Sequence, residues 1–280
     1  MIAFLFVASW QASLHVGGGT LNITAQDSLP RAKILAWIDS SARAVSLYFG
    51  RFPVKQVSLT VRDGSISGRT YGNPAHIDVE VPAEASVADL HDDWVLVHEM
   101  VHLALPSQTG DHTWFEEGSA TFVEPVARAR AGHRAPALVW REWLTRMREG
   151  EPLPRDRGLD HTHTWARTYW GGALYFLVAE VRLRVATHGA MGVETALRGV
   201  LAAGGSVNDD WSIDKTLAAA DAATGLHVLR NLYDEMKDAP APVDLPALFA
   251  ALGVGLLGDE VIYDDDAKWA FARKRIMASD

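Results

Sequence analysis

The stretch "WVLVHEMVHLALP", residues 94–106, decides how this 280-residue chain is interpreted. It places His98, Glu99 and His102 inside an otherwise apolar run. Four residues of α-helix turn through about 400°, so the two histidines lie about 40° apart on one helix face and about 6 Å apart along the axis. Two imidazoles placed in this way can reach one zinc ion, and Glu99 can contact a water that the metal holds. The alternative interpretation is an amphipathic core helix with two incidental histidines.

Context favours the metal site over the core helix. The motif is short enough to occur by chance, but burying two histidines and a glutamate without partners would cost several kcal/mol. The chain contains no cysteine, so a transition-metal site must be built from His, Asp and Glu. Two histidines are not sufficient, because a catalytic zinc site needs a third protein ligand and one open position.

The next predicted helix, "HTWFEEGSATFVEP" at residues 112–125, offers that third ligand. Glu117 follows His102 by 15 positions (117 − 102), which is enough for the first helix to end near Pro106 and for the chain to return. Glu117, Thr121 and Glu124 are spaced by four and seven residues and therefore share one helix face. We expect Glu117 to bind the metal while Thr121 or Glu124 orients a ligand from behind.

These two segments carry a resemblance to a known family. "HEMVH" followed by "WFEEGSATFVE" (114–124) resembles the gluzincin zinc metallopeptidases of the MA clan, in particular aminopeptidase N and its glycyl aminopeptidase relatives. Their signature is H-E-x-x-H followed by W-x-x-E-G-x-A-x-x-x-E, and each fixed position of the second part is matched here. The resemblance implies a zinc-dependent peptidase with one zinc per chain, held by His98, His102 and Glu117. It further implies that Glu99 is the general base and that the substrate is a peptide or protein.

A third segment, "ARTYWGGALYFLVAEV" at residues 166–181, resembles the Y-x-x-G-A segment of the same family. The resemblance gives Tyr169 the role of hydrogen-bond donor to the oxyanion of the transition state. This fits the chemistry, because attack on a carbonyl places negative charge on its oxygen. Considered alone, Tyr169 would be interpreted as one of several packed aromatic residues.

The chain also departs from the family pattern. Typical aminopeptidases of this group carry a G-x-M-E-N segment and an added β-domain, whose glutamates hold the free amine of the substrate. The corresponding segment here, "YGNPAHIDVE" at 71–80, has no glutamate in that place, so exopeptidase and endopeptidase modes both stay open. We expect the strand within 72–80 to pair with the substrate backbone. The alternative function is a non-catalytic peptide-binding module with structural zinc on the same fold.

The hydrophobic patterns predict an α+β fold, and the resemblance to the gluzincins implies that it is a thermolysin-like zincin fold. Residues 30–49 have helical periodicity, residues 54–63 and 76–82 alternate as antiparallel strands do, and the chain from residue 88 is almost wholly helical. We therefore expect a single catalytic domain over 21–280. It would comprise a small α/β lobe with the zinc helix (21–105) and a helical lobe (106–280), with the active site in the cleft between them.

Composition limits the possible partners. A net charge of −9 without basic runs argues against nucleic acid, and no stable membrane insertion is expected. Residues 1–20 form either a degenerate export signal or a first strand, since the apolar run at 2–8 lacks a preceding positive charge. The chain would be secreted or periplasmic if residues 1–12 act as a signal, and cytoplasmic otherwise.

Two further local features carry expectations. "GGG" at 17–19 is expected to be a flexible junction. His161 and His163 are either solvated, or they contact substrate or a second cation.

Overall fold

The computed structural model describes residues 8–278, which form an α+β fold built on one mixed five-stranded sheet. The α+β class predicted from the sequence is confirmed. The sheet has the strand order β1-β2-β3-β5-β4. Its strands are β1 (Ser9–Val16), β2 (Gly19–Gln26), β3 (Gln56–Asp63), β4 (Ser67–Tyr71) and β5 (His76–Val81). Helix α1 (Arg31–Phe49) joins β2 to β3, as its periodicity predicts.

Strands β1 and β2 form a hairpin that the sequence patterns did not reveal. Gly17 and Gly18 have φ angles of 56° and 82°, and Val16 pairs with Gly19, so the predicted flexible junction is a two-residue turn. Glycine suits such turns because both central residues need positive φ. Strand β1 begins at Ser9, and the apolar run that could be an export signal lies almost entirely outside the described residues.

The prediction that residues 54–63 and 76–82 are antiparallel neighbours is wrong. Strands β3 and β5 run parallel, with Ser58 opposite His76 and Asp63 opposite Val81. The chain between them turns back to form the short strand β4, which pairs antiparallel with β5, so β5 returns in the direction of β3. Strand β5 is thus hydrogen-bonded on both sides, and the edge of the sheet next to it is β4. The substrate-pairing strand expected within 72–80 is therefore not available for that role.

The predicted helix over 88–105 is two helices, α2 (Val87–Asp92) and α3 (Val95–His102). Asp93 separates them because its carboxylate accepts hydrogen bonds from the main-chain nitrogens of Val95 (3.2 Å) and Leu96 (3.5 Å). Such bonds satisfy donors that the first turn of a helix leaves free. All eight residues of α3 are buried, so this helix lies inside the molecule.

The rest of the chain is mainly helical, as predicted. The helices are α4 (Thr113–Arg130), α5 (Pro136–Arg146), α6 (Gly172–Ala186), α7 (Val193–Ala202), α8 (Ile213–Thr224), α9 (Val228–Met236), α10 (Leu245–Leu252) and α11 (Ala270–Ile276). A hairpin of β6 (Val254–Leu257) and β7 (Glu260–Tyr263) was missed. The helix predicted over 213–237 is interrupted at Gly225, which has a left-handed φ of 67°. Within residues 8–278, no helix combines the length and the apolar character needed to cross a bilayer.

Candidate metal centre

Helices α3 and α4 bring the three predicted metal ligands together. His98 and His102 are 4% and 5% exposed. Their Nε2 atoms lie 3.2 Å and 3.5 Å from the same oxygen, Oε2 of Glu117. One ligand atom from each of the three residues lies within 4.8 Å of the others. The single turn of helix between the histidines and the return of the chain through α4 therefore place three donors around one point.

This donor set fits a zinc ion. Two ligands that are each about 2.0–2.1 Å from a tetrahedral zinc are separated by about 3.3 Å, which matches the spacing between the imidazoles and the carboxylate. Two imidazoles and one carboxylate are also a ligand combination that zinc enzymes use, and they leave a fourth position free.

Without a metal, His102 and Glu117 form a largely buried ion pair with 3.5 Å between Nε2 and Oε2. Burial lowers the pKa of His102, but the hydrogen bond and negative charge of Glu117 outweigh it and raise the pKa to about 9. Burial likewise raises the pKa of Glu117, yet its hydrogen bonds to His102 and His98 prevail and the pKa is well below its ordinary value. The pKa of His98 is lowered, mainly by burial. Zinc would therefore displace the proton that His102 carries.

A close crossing of backbones holds Glu117 in place. A Cβ on Gly118 would lie 2.3 Å from Cα of Gly172, so α4 and the start of α6 touch at two glycines. The indole of Trp114 donates a 2.7 Å hydrogen bond to Oδ1 of Asp160 and anchors the first turn of α4. The structure thus explains two fixed positions of the sequence signature. Trp114 fixes the first turn of α4, and Gly118 allows the start of α6 to approach α4 closely.

The crossing also sets the position of Tyr169. This tyrosine lies in a π-helical turn, Arg167–Gly171, directly before α6. Its ring stacks on the ring of His98 with centroids 6.3 Å apart, and on Trp165 at 5.4 Å. The structure therefore places Tyr169 beside the predicted metal ligands His98 and Glu117. Burial and the charge and hydrogen bond of Glu117 raise the pKa of Tyr169 to about 12, which keeps the phenol protonated.

Glu99 faces strand β4, and here the structure reveals residues that the sequence did not. The Thr70 hydroxyl lies 2.7 Å from Oε2 of Glu99 and 2.8 Å from its main-chain oxygen. A Cβ on Gly68 would lie 2.6 Å from Cγ of Glu99, so only glycine lets the strand approach this closely. In the sequence, the contact of Gly68 and Thr70 with Glu99 could only have been indicated by the short alternating segment "SGRTY". This segment matches no specific motif.

The hydrogen bonds of Thr121 and Glu124 go to groups other than the predicted ligand side chains. The Thr121 hydroxyl donates to the main-chain oxygen of Glu117 at 2.8 Å. Glu124 accepts a 2.8 Å hydrogen bond from Arg128, and burial raises its pKa to about 7. A role for either residue in orienting a ligand stays a prediction. Glu116, the neighbour of Glu117, caps the loop before α4 by accepting a 2.9 Å hydrogen bond from the main-chain nitrogen of Gln108.

The two histidines of "HTHT" lie in an exposed loop. His161 Nε2 is 2.9 Å from Oδ1 of Asp238, and His163 Nε2 is 3.5 Å from Oδ1 of Asp111. Contact of either histidine with substrate stays a prediction.

Comparison with solved structures identifies the fold. A crystal structure of an aminopeptidase N family protein from Idiomarina loihiensis aligns with a TM-score of 0.60 and 12% identity, covering 88% of this chain and 49% of that chain. An M1 zinc metallopeptidase from Deinococcus radiodurans aligns with a TM-score of 0.55 and 16% identity, covering 85% and 53%. A mutant of the M1 zinc metallopeptidase from Deinococcus radiodurans, bound to a Tyr-Ser-Ala substrate, aligns with a TM-score of 0.55 and 17% identity. This alignment covers 85% of this chain and 54% of that chain.

The chain has the fold of the M1 zinc metallopeptidases. The resemblance to aminopeptidase N predicted from the three motifs is thus confirmed at the level of the fold. The chain spans about half the length of the solved structures it matches. No protein-family model and no curated protein sequence matches it.

The fold places the edge strand β4 beside Glu99, the predicted general base. Strand β4 is the outermost strand of its sheet, and its Thr70 contacts Glu99. The strand reads "SGRTY" and contains no glutamate. The sequence predicted that segment 71–80 has no glutamate in the place of the family's amine-binding residue. Strand β4, which borders the site, has no glutamate either.

Proposed function

We propose that this chain is a zinc-dependent peptidase that hydrolyses peptide bonds in peptides or proteins. The observation that carries the proposal is the convergence of His98, His102 and Glu117 on one point, with Glu99 and Tyr169 beside it. The M1 fold supports it, as does the peptide substrate bound by one protein of that fold. One zinc per chain, held by the three converging residues, is the implied cofactor.

The chemistry follows from what each side chain can do. Zinc, when bound, would make a water more acidic and polarise the carbonyl under attack. Glu99 takes the proton of the attacking water and passes it to the departing amine. The Thr70 hydroxyl fixes the carboxylate of Glu99 in place, since it lies 2.7 Å from Oε2. Tyr169 remains a phenol at neutral pH and donates a hydrogen bond to the oxygen of the carbonyl as it becomes negative.

We further propose that residues 21–280 act as one catalytic domain with the site in a cleft between the 21–105 lobe and the 106–280 lobe. The site is built from both parts: α3 supplies two ligands and the base, while α4 and the turn before α6 supply Glu117 and Tyr169. Such clefts are common substrate sites. The free edge of β4 offers main-chain hydrogen bonds to an extended peptide.

The decisive test combines metal content with peptide hydrolysis. Protein purified without chelators should contain about one zinc per chain and cleave a peptide mixture. Glu99→Gln should keep the zinc while hydrolysis falls by several orders of magnitude. Glu84→Gln, the same change at an exposed glutamate, is the matched control and should retain full activity. Protein with no metal affinity, or an undiminished Glu99→Gln enzyme, would refute the proposal. Zinc with peptide binding but no hydrolysis would favour the non-catalytic binding module.

The mode of cleavage is tested with the same protein. Because β4 carries no glutamate for a free amine, we propose that blocked N-termini are tolerated. Each peptide is supplied with a free and with an acetylated N-terminus, and the products are identified by mass. Cleavage confined to the first bond of free peptides would instead make the chain an aminopeptidase.

A further inference from the structure

A cavity of about 430 Å³ opens next to the metal ligands, on the side of helices α4 and α5. Its size is in the range of ligand-binding pockets. His98 and Tyr169 both contribute to its lining, so it is continuous with the site proposed above. We call it the tryptophan pocket, since four tryptophans line it: Trp94, Trp143, Trp165 and Trp170.

Two of these indoles are exposed and each contacts a residue of the site. Trp94 is 51% exposed and meets the ring of His98 edge to face at 5.2 Å. Trp165 is 59% exposed and stacks on Tyr169 at 5.4 Å. Large aromatic side chains are normally covered, so exposed rings at the mouth of a cavity indicate a surface that a ligand can bury. A side chain that contacts both rings would belong to a residue directly beside the reacting bond.

One wall of the pocket is aromatic and rigid. Trp143 is buried, stacks on Phe122 at 5.3 Å and meets Trp140 edge to face at 5.2 Å. Leu138, 51% exposed on α5, completes the wall. Rings held on both sides by other rings keep their orientation, so the pocket has a defined shape before a ligand enters.

Four of the charged residues of the pocket form two ion pairs with one another. Three arginines and three acidic residues contribute to its lining. Glu124 pairs with Arg128 at 2.8 Å, and Arg134 pairs with Glu142 at 2.8 Å. The guanidinium of Arg146 lies 4.4 Å from the ring centre of Trp170. A basic occupant would have to compete with the paired arginines, and an acidic occupant with the paired glutamates, so the pocket favours an uncharged occupant.

We propose that the tryptophan pocket binds a large aromatic side chain, Phe, Tyr or Trp, of a residue that flanks the scissile bond. The proposal deepens the peptidase function and rests on it. Aromatic rings gain from edge-to-face and stacked contacts with indoles beyond the area that they bury, which aliphatic side chains cannot match. The pocket would thus set substrate specificity, with Leu138 as a specificity-determining residue.

The test uses blocked peptides that differ only at the two residues flanking one cleavable bond. The zinc-loaded protein should cleave peptides with Phe, Tyr or Trp at one of these positions with a kcat/KM at least about tenfold above that with Ala, and above that with Lys or Glu. Leu138→Trp, which fills the pocket, should reduce the ratio of aromatic to alanine kcat/KM by about tenfold. Leu153→Trp, the same change at a 72% exposed leucine outside the pocket, should leave the ratio unchanged.

A binding measurement separates this proposal from the peptidase function. If no peptide is cleaved, the peptidase proposal fails, but calorimetry with N-acetyl-phenylalanine amide and N-acetyl-alanine amide still tests the pocket. Preferential binding of the phenylalanine amide that Leu138→Trp abolishes would support the pocket. Equal binding of the two amides, or cleavage that is indifferent to aromatic residues or prefers charged ones, would overturn it.

Discussion

The hydroxyl of Thr70 lies within hydrogen-bond distance of two oxygens of Glu99, 2.7 Å from the carboxylate Oε2 and 2.8 Å from the main-chain oxygen. A hydroxyl has one hydrogen to donate and lone pairs that accept. Thr70 can therefore donate to the carboxylate, or accept from the carboxylic acid while it donates to the main chain. The same contact suits Glu99 before and after it takes up a proton, which is what a general base that later acts as an acid requires.

Removing this hydroxyl should slow hydrolysis without loss of metal. Thr70→Val keeps the shape of the side chain but leaves Glu99 without its partner. A hydrogen bond to a charged group contributes about 1.5–3 kcal/mol, so kcat/KM should fall by about 10- to 100-fold. Thr70→Ser should recover most of the activity. Thr145→Val, at an exposed threonine, is the control. Zinc content measured by mass spectrometry should be equal in all variants, and an unchanged kcat/KM in Thr70→Val would rule out the positioning role.

Loss of the Tyr169 hydroxyl should affect the transition state rather than metal binding. Tyr169→Phe preserves stacking on His98 and Trp165 but removes the donor. Removal of one oxyanion donor typically costs about 10²- to 10³-fold in kcat, with little change in KM. Tyr263→Phe, at an exposed tyrosine of β7, should leave both constants unchanged. If Tyr169→Phe weakened KM alone, Tyr169 would be a substrate contact instead.

The ligand geometry could be predicted from the sequence because it depends on local periodicity. His98 and His102 share a helix face whatever surrounds them, and the end of α3 at His102 lets the chain return to Glu117. The contacts of Gly68 and Thr70 with Glu99 could not be predicted from the sequence. They join a strand to a helix about 30 residues later and depend on how the sheet packs against that helix. The parallel pairing of β3 and β5 was missed for a similar reason, because alternation in each strand says nothing about a short strand between them.

The crossing of Gly118 and Gly172 should not tolerate a methyl group. In Gly118→Ala the new Cβ would lie 2.3 Å from Cα and 2.4 Å from the carbonyl carbon of Gly172, and neither backbone can yield without moving Glu117 or Tyr169. Overpacking of this kind costs about 1–3 kcal/mol or more, so the melting temperature should fall by several degrees. Gly255→Ala in β6 meets its nearest atom at 3.7 Å and is the control. Thermal unfolding followed by circular dichroism gives the comparison, and an unchanged melting temperature in Gly118→Ala would show that the crossing is loose.

Metal removal should give the protein an unusual dependence on pH. In the metal-free state the pKa of His102 is raised to about 9, so protonated His102 stabilises the folded protein. This contribution is complete at pH values below 6.5, the ordinary pKa of histidine, and is lost as the pH rises toward 9. The lowered pKa of Glu117 adds stability above its ordinary value of 4.5 and loses it as the pH falls toward the folded pKa. Chelator-treated protein should therefore lose melting temperature between pH 6.5 and 9.

Zinc should compensate for this loss, because protons compete with the metal for the same imidazole and bind less as the pH rises. The increase in melting temperature on adding zinc should thus grow from pH 6.5 to 9. Glu117→Gln removes the charge that raises the pKa of His102, so its metal-free form should show a flatter profile across this range. Scanning calorimetry of both proteins, with and without zinc, measures all four curves. A metal-free wild-type protein that is equally stable at pH 6.5 and 9 would show that His102 and Glu117 do not form a stabilising ion pair.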